Sequence, residues 1–301
     1  MNSSVQRPGI KITGDRVHSA QDLLAVEEPL EIRIAYGPTG CRRVTNLAVT
    51  MRTPGQDAEL ALGFLFTEGI ITRPSEIQDI RHVFVGCEER RENVILISLT
   101  EDVNPNLGKA ERNFYTTSSC GVCGKASIDA IRTIGPGLGR TPADIGRAPG
   151  DVGNVGSGCR IAPDLILKLP ATLSVAQEIF AETGGLHAAA LFDDNGELFL
   201  VREDVGRHNA LDKLIGASIA SGRRSFDPSI LLLSGRASFE LVQKAAMTGI
   251  PVIAAVGAPS SLAVALAEEF GITLIGFLRP KRLNIYSAPQ RIQLPVYETA
   301  H

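Results

Sequence analysis

Ile230-Leu231-Leu232-Leu233, Val252-Ile253-Ala254-Ala255-Val256 and Thr273-Leu274-Ile275-Gly276-Phe277 are three short apolar runs, and residues 238–248 and 260–270 between them have the length and pattern of helices. Short apolar strands that alternate with helices imply a sheet covered on both faces. Right-handed crossovers would then bring the strand C-termini to one edge, where ligands of such folds sit. The loops expected there are Ser234-Gly235-Arg236, Gly257-Ala258-Pro259 and Phe277-Leu278-Arg279-Pro280-Lys281-Arg282.

Working back from this alternation, residues 205–220 read as a helix with Leu211, Leu214, Ile215 and Ile219 on one side, and residues 198–202 as a strand. Residues 187–193 are apolar and fit either a strand or a buried helix. Residues 174–182 read as a helix opened by Ser174, with Gln177 three residues on as a capping box, and ended by Gly184-Gly185. The N-terminal third has another pattern. Residues 1–28 are polar and read as extended or frayed. Residues 30–36 and 44–51 read as a hairpin about the turn Gly37-Pro38-Thr39-Gly40, residues 57–67 as a helix, and residues 77–86 and 93–99 as two more strands. The expected architecture is therefore α/β with a smaller N-terminal α+β domain. The small domain spans 25–112, a thiol loop with its linker 113–164, and an α/β ligand-binding domain 165–290.

The chain of 301 residues is 44% hydrophobic and 21% charged, which is ordinary for a globular protein and argues against disorder. A net charge of -3 and the absence of tryptophan give no footing for bulk nucleic-acid binding or a base-stacking platform. The first residues lack the apolar core of a secretory signal, and no apolar run reaches the ~18 residues of a membrane span. Five cysteines, an odd number, do not suggest a disulfide framework and suit an intracellular chain.

Two of those cysteines stand together in Thr117-Ser118-Ser119-Cys120-Gly121-Val122-Cys123-Gly124-Lys125, ahead of a short helical pattern at 126–134. A helix N-terminus and the Lys125 ammonium both favour a thiolate at Cys123. A buried structural pair fits poorly beside Ser, Gly and Lys. A zinc half-site, closed by a second copy of the chain, stays open, as does redox or sulfur-transfer chemistry. Residues 135–164 hold eight glycines and four prolines and read as a mobile linker or surface loop. Elsewhere, His187 and His208 suit binding or base roles as well as plain structural ones. Arg279, Lys281 and Arg282 around Pro280, with Arg236 at a helix start, suggest an anionic ligand bearing a nucleotide, although no standard dinucleotide or triphosphate motif is present.

The thiol stretch Ser118-Ser119-Cys120-Gly121-Val122-Cys123-Gly124 resembles the signature loop of the FdhD family, the formate dehydrogenase accessory sulfurtransferases. Further resemblance lies in Thr183-Gly184-Gly185-Leu186-His187-Ala188, in the twelve residues from Arg202 to Lys213, in Ser234-Gly235-Arg236-Ala237-Ser238 and in Gly276-Phe277. It implies a sulfur carrier that takes persulfide sulfur from a cysteine desulfurase. The sulfur would pass to the molybdenum (or tungsten) bis-guanine-dinucleotide cofactor of formate dehydrogenase. The resemblance makes Cys120 the persulfide carrier and Cys123 its partner. It assigns Phe277, Leu278, Arg279, Pro280, Lys281 and Arg282 to the cofactor, which is bound as a substrate, and it implies a cytoplasmic homodimer. A non-catalytic cofactor-binding chaperone, with the thiols structural or zinc-bound, is the alternative. The family's larger domain resembles the three-layer cytidine deaminase fold. Deaminase chemistry is not expected, because His187-Ala188-Ala189 puts alanine where the zinc deaminases need glutamate.

Overall fold

The computed structural model of the chain describes residues 2–83, 93–105, 107, 160–223, 226 and 229–294. The apolar alternation forms a six-stranded sheet of order β12-β11-β10-β9-β7-β8. Its strands are β7 (His187–Phe192), β8 (Leu198–Asp204), β9 (Ile230–Leu233), β10 (Val252–Ala255), β11 (Thr273–Arg279) and β12 (Arg282–Ser287). Strands β9, β10 and β11 are parallel, while β7, β8 and β12 run against their neighbours. Helix α5 (Phe239–Thr248) carries the crossover from β9 to β10 and helix α6 (Ser261–Glu269) that from β10 to β11, as parallel neighbours require. Short turns instead join β7 to β8 (residues 193–197) and β11 to β12 (residues 280–281), and connections this short can only reverse the chain.

Each strand feeds two cores at once, as a period of two residues requires. Ala189, Leu191, Leu231, Leu233, Ile253 and Ala255 face one core, which holds helix α4 (Arg207–Ala220) with α5 and α6. Ala188, Ala190, Leu232, Val252, Ala254 and Ile275 face the other, covered by Ile166, Leu169 and Leu173 of helix α2 (Pro163–Ala176). The sheet is thus covered on both faces, and the chain is a mixed α/β protein with several sheets.

A second sheet has the order β4-β3-β6-β5, with β3 (Glu28–Tyr36), β4 (Arg43–Arg52), β5 (Ile77–His82) and β6 (Val94–Leu99). Helix α1 (Asp57–Thr67) lies between it and α4, so Leu30, Ile32 and Ile95 share a continuous core with Leu60, Leu65, Leu211 and Leu214. The α1–α4 crossing is as close as two helices can come. A β-carbon at Gly63 would lie 1.9 Å from the Asp212 carbonyl oxygen, and one at Gly216 would lie 1.9 Å from that of Glu59. Only glycine fits either position.

Buried charges cross the same junction. Lys213 is fully buried, and its Nζ lies 2.7 Å from Asp204 Oδ2 and donates to the Thr53 carbonyl at 2.8 Å. Asp204 also accepts from the backbone N–H of Thr53 and Gly206. Lys244 of α5 reaches Asp212 at 3.0 Å and Thr67 of α1 at 2.9 Å. Arg52 pairs with Asp57 through two bonds of 3.0 Å. Each charge has its counter-charge, the condition under which buried ions are tolerated.

Residues 4–25 take the extended of the two expected forms, as an antiparallel hairpin, β1 (Ser4–Thr13) with β2 (Arg16–Ala25). It projects from the body with most side chains exposed, so no buried face marked it in the sequence. Ser174 caps no helix. It lies inside α2, which starts at Pro163 because Ile166, Leu169 and Leu173 bury one continuous stripe, and a separate short helix α3 (Glu178–Thr183) follows Gln177. The strand expected at 77–86 ends at His82. Residues 84–92 and most of the segment 113–164, with its linker, lie outside the described residues. No described helix is long and apolar enough to cross a membrane.

Candidate functional site

The loops that leave β9 and β10 and the irregular stretch of β11 at Phe277 are stitched side by side. Gly257 N–H donates to the Gly235 carbonyl at 2.8 Å, and Phe277 N–H donates to the Gly257 carbonyl at 3.0 Å. A β-carbon at Gly257 would come within 2.9 Å of the Arg236 backbone, so the loops pack this tightly only with glycine there. The result is a level row of backbone along one sheet edge.

At one end of the row, the residues expected as a loop at 277–282 form a β-hairpin. Arg279 pairs with Arg282, and Pro280 and Lys281 make the turn. The register shifts between Gly276 and Arg279, and within that bulge Phe277 has φ +52°. A bulky residue in the left-handed region is strained, and such strain gathers where a site demands a particular backbone path. The bulge separates the segment by function. Leu278 is 1% exposed and packs into the α2-side core, so only its backbone is left for a ligand. Phe277 is half-buried, and Arg279, Pro280, Lys281 and Arg282 are exposed. Arg279 is steadied by donation from Nη1 to the Val256 carbonyl at 2.7 Å and to the Leu278 carbonyl at 2.9 Å. The cationic side chains thus flank the turn at a sheet edge, where a phosphate can be met by charge-assisted hydrogen bonds.

At the other end, His187 opens β7 opposite Asp204, with its ring against Gly235. Burial pushes its pKa down, and the nearby Arg207 and His208 push it further down against a smaller upward pull from Asp204. His187 is therefore a neutral imidazole at pH 7. Arg207 and His208 start α4, and His208 Nε2 lies 2.7 Å from Glu240 Oε2 in the first turn of α5. Ser238 Oγ lies 3.4 Å from the same nitrogen.

Segments distant in the sequence thus converge. Residues 183–188, 202–213, 234–238 and 276–277 all meet at this edge. The longest of them divides between two tasks. Asp204, Asn209, Asp212 and Lys213 point inward, Asn209 to β4, Asp204 and Lys213 to Thr53, and Asp212 to Thr67 of α1, while Arg207 and His208 stay at the edge. Glu240 was not singled out in the sequence, where it looks like an ordinary acidic residue in a helix's first turn. Cys120 and Cys123 lie outside the described residues, as do Cys87 and Cys159, while Cys41 is exposed.

Comparison with known proteins matches the fold and the chain as a whole. A crystal structure of a candidate formate dehydrogenase accessory protein from Desulfotalea psychrophila superposes with a TM-score of 0.68 at 24% identity, covering 97% of this chain and 100% of that one. That likeness shows the shared fold. A relative from Streptomyces avermitilis named sulfur carrier protein FdhD is 47% identical over 292 residues, which is 96% of this chain and 95% of the relative. A Picrophilus torridus protein of the same name is 44% identical over 90% of this chain and 92% of its own length. The family profile described as FdhD/NarQ matches residues 25–293, and the chain belongs to the FdhD/NarQ family.

Proposed function

We propose that this chain is a sulfur carrier that loads persulfide sulfur on Cys120, with Cys123 as its partner, and passes it to a molybdenum (or tungsten) bis-guanine-dinucleotide cofactor held at the sheet edge. The cofactor is substrate here, not a resident group. Phe277, Arg279, Pro280, Lys281 and Arg282 would bind its nucleotide end through side chains, and Leu278 through its backbone. The donor would be a cysteine desulfurase and the client formate dehydrogenase, with the carrier acting as a cytoplasmic homodimer. The larger sheet with its helices on both faces is consistent with a cytidine-deaminase-like three-layer arrangement.

The observation that carries this reading is the convergence of four separated sequence segments on one edge that ends in an exposed cationic hairpin with a strained Phe277. Relatives of the same length named as sulfur carriers supply the chemistry. A persulfide gives up its outer sulfur readily and returns to a thiol, so one cysteine can receive and deliver. Replacement of Cys120 by alanine tests this in cells that lack the wild-type protein. The reading expects loss of formate dehydrogenase activity. Full activity would leave only a cofactor-binding chaperone.

A further inference from the structure

The N-terminal hairpin of β1 and β2 is paired in register along its whole length, so its side chains sort into two faces. One face carries every charged side chain of the two strands, Arg7, Lys11, Arg16 and Asp22, together with His18. The other carries none. Ile12 stands opposite Val17 there, with Ile10 beside them, and all three are at least 66% exposed. At the root of this face Ala25 lies against Gly185, just beyond α3. A two-stranded hairpin is marginal by itself in water, and gathering the charge on one side prepares the other for burial.

A second exposed apolar surface starts at the same corner of the molecule. Strand β4 is an edge strand. Its Ala48 and Thr50 sit opposite Ile32 and Leu30 on the core side, so Val49 and Met51 stand on the outer face, opposite Glu31 and Pro29. The register shift between Ile32 and Arg33 puts Val44 on the outer face as well, opposite Ala35. Val44, Val49 and Met51 are all exposed. The charges that β3 brings to this face neutralise each other, since Arg33 donates to Glu31 through two bonds of 3.0 Å. A long edge strand with exposed apolar side chains is a liability that proteins cover. The hairpin leaves the body only two residues before β3, whose first residues pair with Arg52 and Met51.

We infer that the N-terminal hairpin is an exchange arm. It lays its uncharged face on the outer β3–β4 face of a second copy of the chain, which returns its own hairpin in the same way. Because both surfaces begin at one corner, a two-fold axis there makes the contact reciprocal and closed. Ten-residue strands are roughly 33 Å long and a strand pair is roughly 10 Å across, so the exchange buries on the order of 1,300 Å² over four faces, within the range of a stable dimer interface. The arm supplies a contact for the proposed homodimer, yet it rests on these two faces and on none of the sulfur or cofactor chemistry.

Sedimentation equilibrium of the full-length protein over a concentration series tests this. The wild type should be a dimer. Ile12→Glu and Val49→Glu should each weaken it ten-fold or more, because each places a charge in the contact. Both positions are exposed in the single chain, so the circular dichroism of both variants should match wild type. Lys11→Gln, on the charged face, should leave the dissociation constant unmoved. Ile12→Lys and Val49→Glu together in one chain should dimerise more tightly than either single variant, because the arm of one copy then meets the opposite charge on the other. A wild-type monomer would overturn the arm and the homodimer together. A dimer left as tight as wild type by both glutamate variants would overturn the arm alone. Weakening by Ile12→Glu but not by Val49→Glu would mean that the hairpins do not meet the sheet face, which also overturns the inference.

Discussion

Replacing Gly216 by alanine sets two effects against each other. Glycine to alanine inside a helix normally gains ~1 kcal/mol from propensity. Here the new β-carbon would lie 1.9 Å from the Glu59 carbonyl oxygen, against a floor of 3.0 Å for real β-carbons, so α1 and α4 must part by 1.1 Å or more. The obstacle is backbone on a helix, which cannot rotate out of the way. Overpacking of this kind costs ~1–3 kcal/mol and sometimes more. Parting the helices also stretches the 2.9 Å bond from Thr67 Oγ1 to Asp212 and the Arg202–Glu59 ion pair. A 1.9 Å approach to helix backbone puts the clash at the upper end of that range, so after the propensity gain a net loss of ~2 kcal/mol is expected. Equilibrium urea unfolding should show a lowered midpoint at unchanged slope. Gly9→Ala is the control, because Gly9 has nothing within 4 Å on the exposed hairpin. A Gly216→Ala protein as stable as wild type, or more stable, would refute the close crossing.

Three further outcomes follow from the same contacts. Lys213→Met strands the buried Asp204 carboxylate and should cost ~3–5 kcal/mol in urea unfolding, whereas a loss near zero would mean the pair is not buried as described. The lowered pKa of His187, caused chiefly by burial and then by Arg207 and His208, means that the folded state binds fewer protons than the unfolded chain in mild acid. Its contribution to stability is present above the unfolded value of ~6.5 and is lost as pH falls from there through the folded value. His187→Gln should thus lose less stability than wild type between neutral and mildly acidic pH, and identical losses would contradict the assignment. Arg279→Ala should weaken GDP binding about ten-fold in calorimetry, since a charge-assisted contact contributes ~1.5–3 kcal/mol, and unchanged affinity would reduce the hairpin to a solvated turn.

The alternation of apolar runs and helical stretches in the last third was legible because each strand is buried on both faces and bounded by turn residues. Strand β7 was ambiguous for the same reason: after His187 the run from Ala188 to Phe192 is apolar and buried throughout, and a fully buried strand has no two-residue signature. The N-terminal hairpin was legible only as extended chain because most side chains on both its sides are exposed. Ser174 misled because a local capping signal was outweighed by the long-range burial of Ile166, Leu169 and Leu173. At the candidate site, the basic cluster at 279–282 could be read from composition. Its shape as a bulged hairpin could not, because a bulge depends on the pairing partner. Nor could sequence divide residues 202–213 between the buried junction and the edge, since Asp204 and Arg207 are equally polar and only the fold separates them. The partnership of His208 with Glu240 joins residues 32 positions apart on two helices and carries no local signal.

The central claim, that Cys120 carries sulfur, is tested most directly by mass spectrometry of the intact protein and its peptides after incubation with a cysteine desulfurase and cysteine. The account predicts a gain of one sulfur atom on the peptide that holds Cys120 and Cys123, released by a reductant and abolished by Cys120→Ala. No gain on that peptide, or a gain confined to Cys41, Cys87 or Cys159, would contradict it.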